Sequence, residues 1–147
     1  MPYLINEGSL DLPTTGRIDR TLNVLAMPDG SGVTYLISRD RVLPGESLAQ
    51  MVERQLRDLA GQVRGFEITL KPTPISLRAV SSASGGLEFG TAFAQQGQAI
   101  HQRQAALQMP ETDNVLIITL SGFEPFDEPT LSAWAAVVGS FKPHSSN

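Results

Sequence analysis

Residues 115–120 read Val-Leu-Ile-Ile-Thr-Leu, a run that is apolar on both faces of any strand it forms. Such a strand belongs in the middle of a sheet, with neighbours on either side. The rest of the chain supplies them. Arg17 to Met27 and Val33 to Ser38 flank Pro28-Asp29-Gly30-Ser31-Gly32, a turn sequence between two apolar alternations, and predict a hairpin. Phe66, Ile68 and Leu70 alternate with Glu67, Thr69 and Lys71, and Pro72 and Pro74 then confine that strand to an edge or end it. Leu87 to Gln95 places Leu87, Phe89 and Phe93 on one face, and Gln96-Gly97 turns the chain tightly into a strand from Gln98 to Met109. Tyr3 to Leu12 is a looser alternation ending at Pro13, and a short run from Ile75 to Val80 leads into the Ser/Gly-rich stretch 81–86.

Two segments have helical spacing instead. After Pro44-Gly45, Ser47 and Gln50 stand as in a capping box, where each side chain satisfies a backbone N–H of the first turn. Leu48, Val52, Leu56, Leu59 and Val63 then form an apolar stripe, with Gln55 within or beside it. Near the end, Pro129 suits a first helical turn and Asp127 and Glu128 complement its dipole. Leu131, Trp134, Ala135, Val138 and Phe141 recur at helical spacing. Helices set between blocks of strands predict an α+β fold. The expectation is one curved antiparallel sheet with both helices packed on one face and the other face partly uncovered. Residues 1–142 form a single domain in this reading, and 143–147 a polar tail.

Composition narrows the function by exclusion. The chain of 147 residues has a net charge of −4, the wrong sign for nucleic acid or an anionic membrane surface. It contains no cysteine, so disulfides, thiol nucleophiles, cysteine metal sites and lipid attachment at cysteine are ruled out. The opening Met1-Pro2-Tyr3-Leu4-Ile5-Asn6-Glu7 lacks the basic and apolar regions of a signal peptide, and the longest apolar run, Ala133 to Val138, is far too short to span a bilayer. A cytoplasmic protein without stable membrane insertion is expected. No phosphate loop, dinucleotide fingerprint, zinc-protease or nucleophile-elbow motif occurs. His101 as a general base, the acidic group Glu124, Asp127 and Glu128, and Asp40 between Arg39 and Arg41 are each read more simply as surface or helix-start residues, since nothing assembles a nucleophile, base and orienting group. Neither an enzyme nor a cofactor is expected.

One compositional feature stands apart. Six of the residues from Gln95 to Gln108 are glutamine, and alternation puts Gln98, Ile100, Gln102, Gln104 and Ala106 on one face. A glutamine amide both donates and accepts hydrogen bonds. Such a face suits an apolar partner that carries occasional polar groups, or it is an ordinary polar strand facing solvent.

Three stretches together resemble the DcrB-like family, and within it the effector-associated (Eag) chaperones of bacterial type VI secretion. They are Asn6-Glu7-Gly8-Ser9-Leu10; Leu43-Pro44-Gly45-Glu46-Ser47-Leu48 after the hairpin; and Val115 to Leu120 with Trp134 and Ser140-Phe141. The resemblance covers nearly the whole chain and rests on structural motifs, with no catalytic signature. It implies the PsbP-like fold and a non-enzymatic homodimer. Such a dimer holds the N-terminal transmembrane segments of an effector in the cytoplasm and helps load it on the secretion spike. It also implies a partner-binding face of apolar residues and glutamines, for which this sequence offers Leu22, Val24, Ile37, Gln55, Leu59, Gln102 and Gln104. Two other readings stay open: a structural accessory protein of a secretion or envelope machine, and a small-ligand-binding protein or enzyme of the same fold with a pocket near His101.

Overall fold

The computed structural model describes residues 2–13, 15–17, 20–75, 86–109 and 111–142. Among these residues, eight strands and two helices follow in the order β1 (Tyr3–Ile5), β2 (Gly8–Leu10), β3 (Asn23–Leu25), β4 (Thr34–Arg41), α1 (Leu48–Gln62), β5 (Arg64–Pro74), β6 (Gly86–Gln95), β7 (Gln98–Gln108), β8 (Asn114–Gly122) and α2 (Glu128–Gly139). β1 and β2 form a small ribbon of their own. The other six strands make one open, curved sheet in the order β3-β4-β8-β7-β6-β5, every neighbouring pair antiparallel. β8 lies inside this sheet, as its doubly apolar run requires.

Local chemistry accounts for most of the element boundaries. The β6–β7 hairpin closes with Gln96 at φ 51° and Gly97 at φ 77° between the paired Gln95 and Gln98. Left-handed conformations at both turn positions match the right-handed twist of the flanking strands. The first helix begins with both halves of the capping box: the Gln50 amide donates to the Ser47 hydroxyl, and the Ser47 amide to Oε1 of Gln50. Ahead of it, Glu46 accepts from the Leu43 amide and pairs with Arg54 two turns on, at 2.8 Å. These bonds hold the Glu46 carboxyl below its usual pKa, the Arg54 contact contributing most. In α2, Asp127 caps the first turn by accepting from the Thr130 amide at 2.9 Å. β5 runs along one edge and stops at Pro74.

Two cores, one on each side of the sheet, hold the fold together. Met51, Val52 and Leu56 of α1 pack with Val42, Phe89, Ala106, Val115 and Ile117. Trp134 and Val138 of α2 pack with Ala105, Leu107, Ile118 and Leu120. Adjacent strand residues point to opposite faces, so Ala105 and Ala106, or Ile117 and Ile118, cannot serve the same helix. The expectation of both helices on one face is therefore corrected: α1 and α2 cover opposite faces. The reason is β8 itself, which is apolar on both sides and needs a helix over each. Each fully buried aliphatic side chain in these cores contributes roughly 1.5–3 kcal/mol.

Two narrower expectations are also revised. The alternation in residues 3–12 is a ribbon of two short strands, and among the described residues of the stretch 17–27 only Asn23–Leu25 pairs with β4. The run after Ile75 and the Ser/Gly-rich stretch lie, up to residue 85, outside the described residues, as does the tail 143–147.

Candidate functional site

Paired residues in an antiparallel sheet share a face, so the registers trace each face across the strands. One row runs Val24–Leu36–Thr119–Gln104–Phe89, and the next Thr34–Ser121–Gln102–Thr91–Ile68. Both lie on the α1 side, since Gln104 and Thr119 stand two residues from Ala106 and Ile117 of the α1 core. α1 covers Val115, Ile117, Ala106 and Phe89. Beyond them the face turns from aliphatic to amide and hydroxyl.

Each of these glutamines is held by the strand beside it. Gln104 Nε2 donates to Thr119 Oγ1 at 3.1 Å, and Gln102 Nε2 lies 3.5 Å from Ser121 Oγ. Both glutamines are half-buried. The amide oxygens accept no bond from the described residues and remain available. Thr91, beside Gln102 in the ladder, is 1% exposed and its hydroxyl has no partner among the described residues. On α1, Gln55 Nε2 donates to Asp40 Oδ2 at 2.9 Å. That bond directs this flank of the helix toward β4, and Leu59, one turn on, shares the flank.

Of the positions that β4, β8, β7 and β6 present on this side, only Asp40 carries a charge, and it already receives Gln55. The α2 side of the same strands carries Arg39, Arg41, Glu88, His101 and Arg103 instead. There Glu88 Oε2 accepts from both Arg103 and the Trp134 indole, each at 3.2 Å.

The residues proposed from sequence divide accordingly. Val24, Gln102 and Gln104 share the uncharged face; Gln55 and Leu59 border it from α1; and exposed Leu22 immediately precedes β3. Ile37 sits on the opposite face, between Asn23 and Ile118. Leu36 holds the corresponding place on the glutamine side, and Thr119 and Ser121 complete the rows. Alternation separates Leu36 from Ile37, but only the β4–β8 register decides which of them faces the glutamines.

Elsewhere, a cleft of about 410 Å³ opens between the turn before β4 and the start of α2, lined by Val33, Phe123, Phe126, Asp127 and Thr130 among others. No residue of the glutamine rows lines it, nor does His101, although His101 pairs with its Gly122 in the ladder. Asp127 serves there as the helix cap. No group of three or more His, Cys, Asp or Glu suited to a metal ion occurs among the described residues, and no described helix is long and apolar enough to cross a membrane.

The architecture has counterparts among known structures. A Pseudomonas aeruginosa protein of unknown function, PA94, described as a putative regulator, superposes with a TM-score of 0.73 at 24% identity, covering 99% of this chain and 98% of that one. The type VI secretion immunity protein TplEi from the same organism matches in its apo form with a TM-score of 0.55 at 16% identity, and in complex with a peptide at 0.52 and 18%. Those matches cover 96% and 84% of this chain but only 49% and 47% of TplEi, so this chain spans about half of that protein's length. At these identities the likeness establishes the fold. No curated protein matches in sequence. The sequence model of the DcrB family, however, matches residues 7–140, which takes in the sheet, both helices and the glutamine rows: the chain belongs to the DcrB family.

Proposed function

We propose that this protein is a non-enzymatic chaperone or adaptor. In this reading it covers the N-terminal transmembrane segments of a type VI secretion effector in the cytoplasm, aids loading on the secretion spike and acts as a homodimer. The observation that carries the reading is the uncharged face left beside α1, where glutamines and hydroxyls stand among Val24, Leu36 and Leu59. A transmembrane helix presents lipid-facing aliphatic surface that water must not reach, together with Gly, Ser and Thr positions whose polar groups cost free energy when buried unpaired. Aliphatic side chains answer the first need. Amide groups that donate and accept answer the second, without the desolvation cost of a charge.

β7 is clear of α1 from Gln98 to Gln104, roughly 23 Å at the usual rise of a strand, enough to cover about three-quarters of a membrane-spanning helix of roughly 20 residues. The strands β3, β4, β8 and β7 together measure about 14 Å across, room for one helix of about 10 Å diameter. One client helix per copy follows, and two per dimer. TplEi, a type VI secretion protein of similar fold seen with a bound peptide, supports the secretion context.

Co-expression with the apolar N-terminal segment of a neighbouring effector tests the reading. Soluble complex containing two copies of this chain is the expected result, with loss of capture in Gln102→Glu, which places a charge against apolar helix. A client that stays soluble without this chain, or equal capture by Gln102→Glu, would point to the accessory-protein reading.

A further inference from the structure

Two buried side-chain polar atoms have no hydrogen-bond partner among the described residues, Arg103 Nε and Thr91 Oγ1. Their side chains differ in what else they can do. Arg103 keeps an ion pair to Glu88 through a terminal nitrogen, and a fifth of its side chain is exposed. Thr91 has only the one polar side-chain atom, and the residue is 1% exposed. A buried hydroxyl in this condition lowers stability, and a valine of the same shape would avoid the penalty.

Thr91 is the register partner of Gln102 on the β6 side, and Ser121 is its partner on the β8 side. Gln102 therefore stands between two hydroxyls in one row. It reaches the Ser121 hydroxyl only at 3.5 Å, the outer limit of a hydrogen bond. Gln104, in the next row, is placed differently. Thr119 holds it at 3.1 Å on one side, and on the other its register partner is Phe89, which has no hydroxyl. That bond also shows the reach, since Gln104 and Thr119 are direct register partners as Gln102 and Thr91 are. A glutamine carboxamide in this sheet spans one strand spacing to a paired hydroxyl. Of the two glutamines, Gln102 is the loosely held one, and it has a second anchor beside it.

We propose that Thr91 is a positioning residue for Gln102, and that a bound client helix moves the Gln102 carboxamide from Ser121 to Thr91. The inference rests on the client reading above and names the chemistry by which that face recognises its client. In the free chain the carboxamide directs an N–H to Ser121 and leaves its oxygen without a partner. After the move the Thr91 hydroxyl donates to that oxygen, and both N–H groups of the amide are released, together with the Ser121 hydroxyl. The face then offers donors where it had offered an acceptor. Donors suit a membrane-spanning helix. Its amide hydrogens are already bonded along the helix, whereas backbone carbonyls laid bare at its small residues keep a free lone pair. The unpaired hydroxyl penalises only the empty state, which shifts the balance toward the loaded one.

A fluorescent peptide of the effector's apolar N-terminal segment, titrated with the full-length chain and followed by anisotropy, reads the affinity. Thermal melting without peptide reads the free chain. Thr91→Val should raise the melting temperature of the free chain by roughly 3–6 °C and weaken peptide binding roughly three- to tenfold. Thr91→Ser, which keeps the hydroxyl, should bind as the native chain does. In a Gln102→Leu background, where no carboxamide remains to be positioned, adding Thr91→Val should leave binding unchanged. Native-strength binding by Thr91→Val overturns the proposal. So does a weakening that persists in the Gln102→Leu background, or one that Thr91→Ser shares. A lowered melting temperature in Thr91→Val overturns it too, since the hydroxyl would then be bonded already in the free chain. Each of these results leaves the client reading standing. A native chain that binds no peptide removes that reading, and this proposal with it.

Discussion

The two faces of the sheet are built by the same strands and do different work. On the α2 side, β7 and β8 present Ala105, Leu107, Ile118 and Leu120 to Trp134 and Val138, and beyond them Glu88 accepts from Arg103 and the indole, while Arg103 Nε is buried without a partner among the described residues. On the α1 side the apolar rows through Phe89, Ala106 and Ile117 give way to Gln104, Thr119, Gln102 and Ser121, and Phe93 and Ile100 follow beyond them. One face is closed by its helix. The other is half closed, and its open half avoids charge while keeping hydrogen-bonding capacity. Stability is invested on the first face, and in the proposed reading recognition is invested on the second.

Substitutions on each face sharpen that contrast. The largest effect is expected for Trp134→Ala, which empties a site 2% exposed and removes the indole donor from Glu88. A loss of about 3–5 kcal/mol in urea unfolding is expected; a loss no greater than that of a surface substitution would deny the α2 face its structural role. The glutamine face should behave differently. Gln104→Leu leaves the buried Thr119 hydroxyl without its donor and costs about 1 kcal/mol, whereas Gln104→Leu with Thr119→Val is close to neutral, because both partners are removed together. Client capture should fall in both variants although the double variant is stable. Full capture by the double variant would separate the amides from recognition.

The smallest effect concerns pH. Hydrogen bonds from Thr130, its side chain first and its backbone amide second, hold the Asp127 carboxyl below its usual pKa. A carboxylate with a folded pKa below its unfolded value stabilises above the unfolded pKa of about 3.9, and that stability fades as pH falls through the lower folded value. The difference in melting temperature between the native chain and Asp127→Asn should therefore be largest near neutral pH and shrink below about pH 4. A difference that does not change with pH would mean that hydrogen bonding without charge makes the cap.

Much of this division was legible in the sequence. The face shared by Gln98, Ile100, Gln102, Gln104 and Ala106 follows from strict alternation, and the Gln96-Gly97 turn anchors it by fixing which residues begin the ladder. The start of α1 was readable for a similar reason, since a capping box is a contact between residues three apart. The misplaced helix shows the opposite case. Val115 to Leu120 announced two apolar faces, but a stripe on a helix does not say which of two apolar surfaces it will meet. The face of Ile37 was not legible for want of register, because a shift of one residue between β4 and β8 exchanges every side chain between faces.

By itself, then, the sequence determined what is local. It set the periodicities of strands and helices, the tight turn, the caps, the interior position of β8 and the chemical character of the glutamine strand, all governed by bonds and sterics within a few residues. Tertiary structure alone decided which helix covers which face, that Leu36 rather than Ile37 stands beside the glutamines, and that Gln102 stands between the hydroxyls of Ser121 and Thr91. Those outcomes depend on pairings between residues far apart in the chain, where burial of whole surfaces outweighs any local preference.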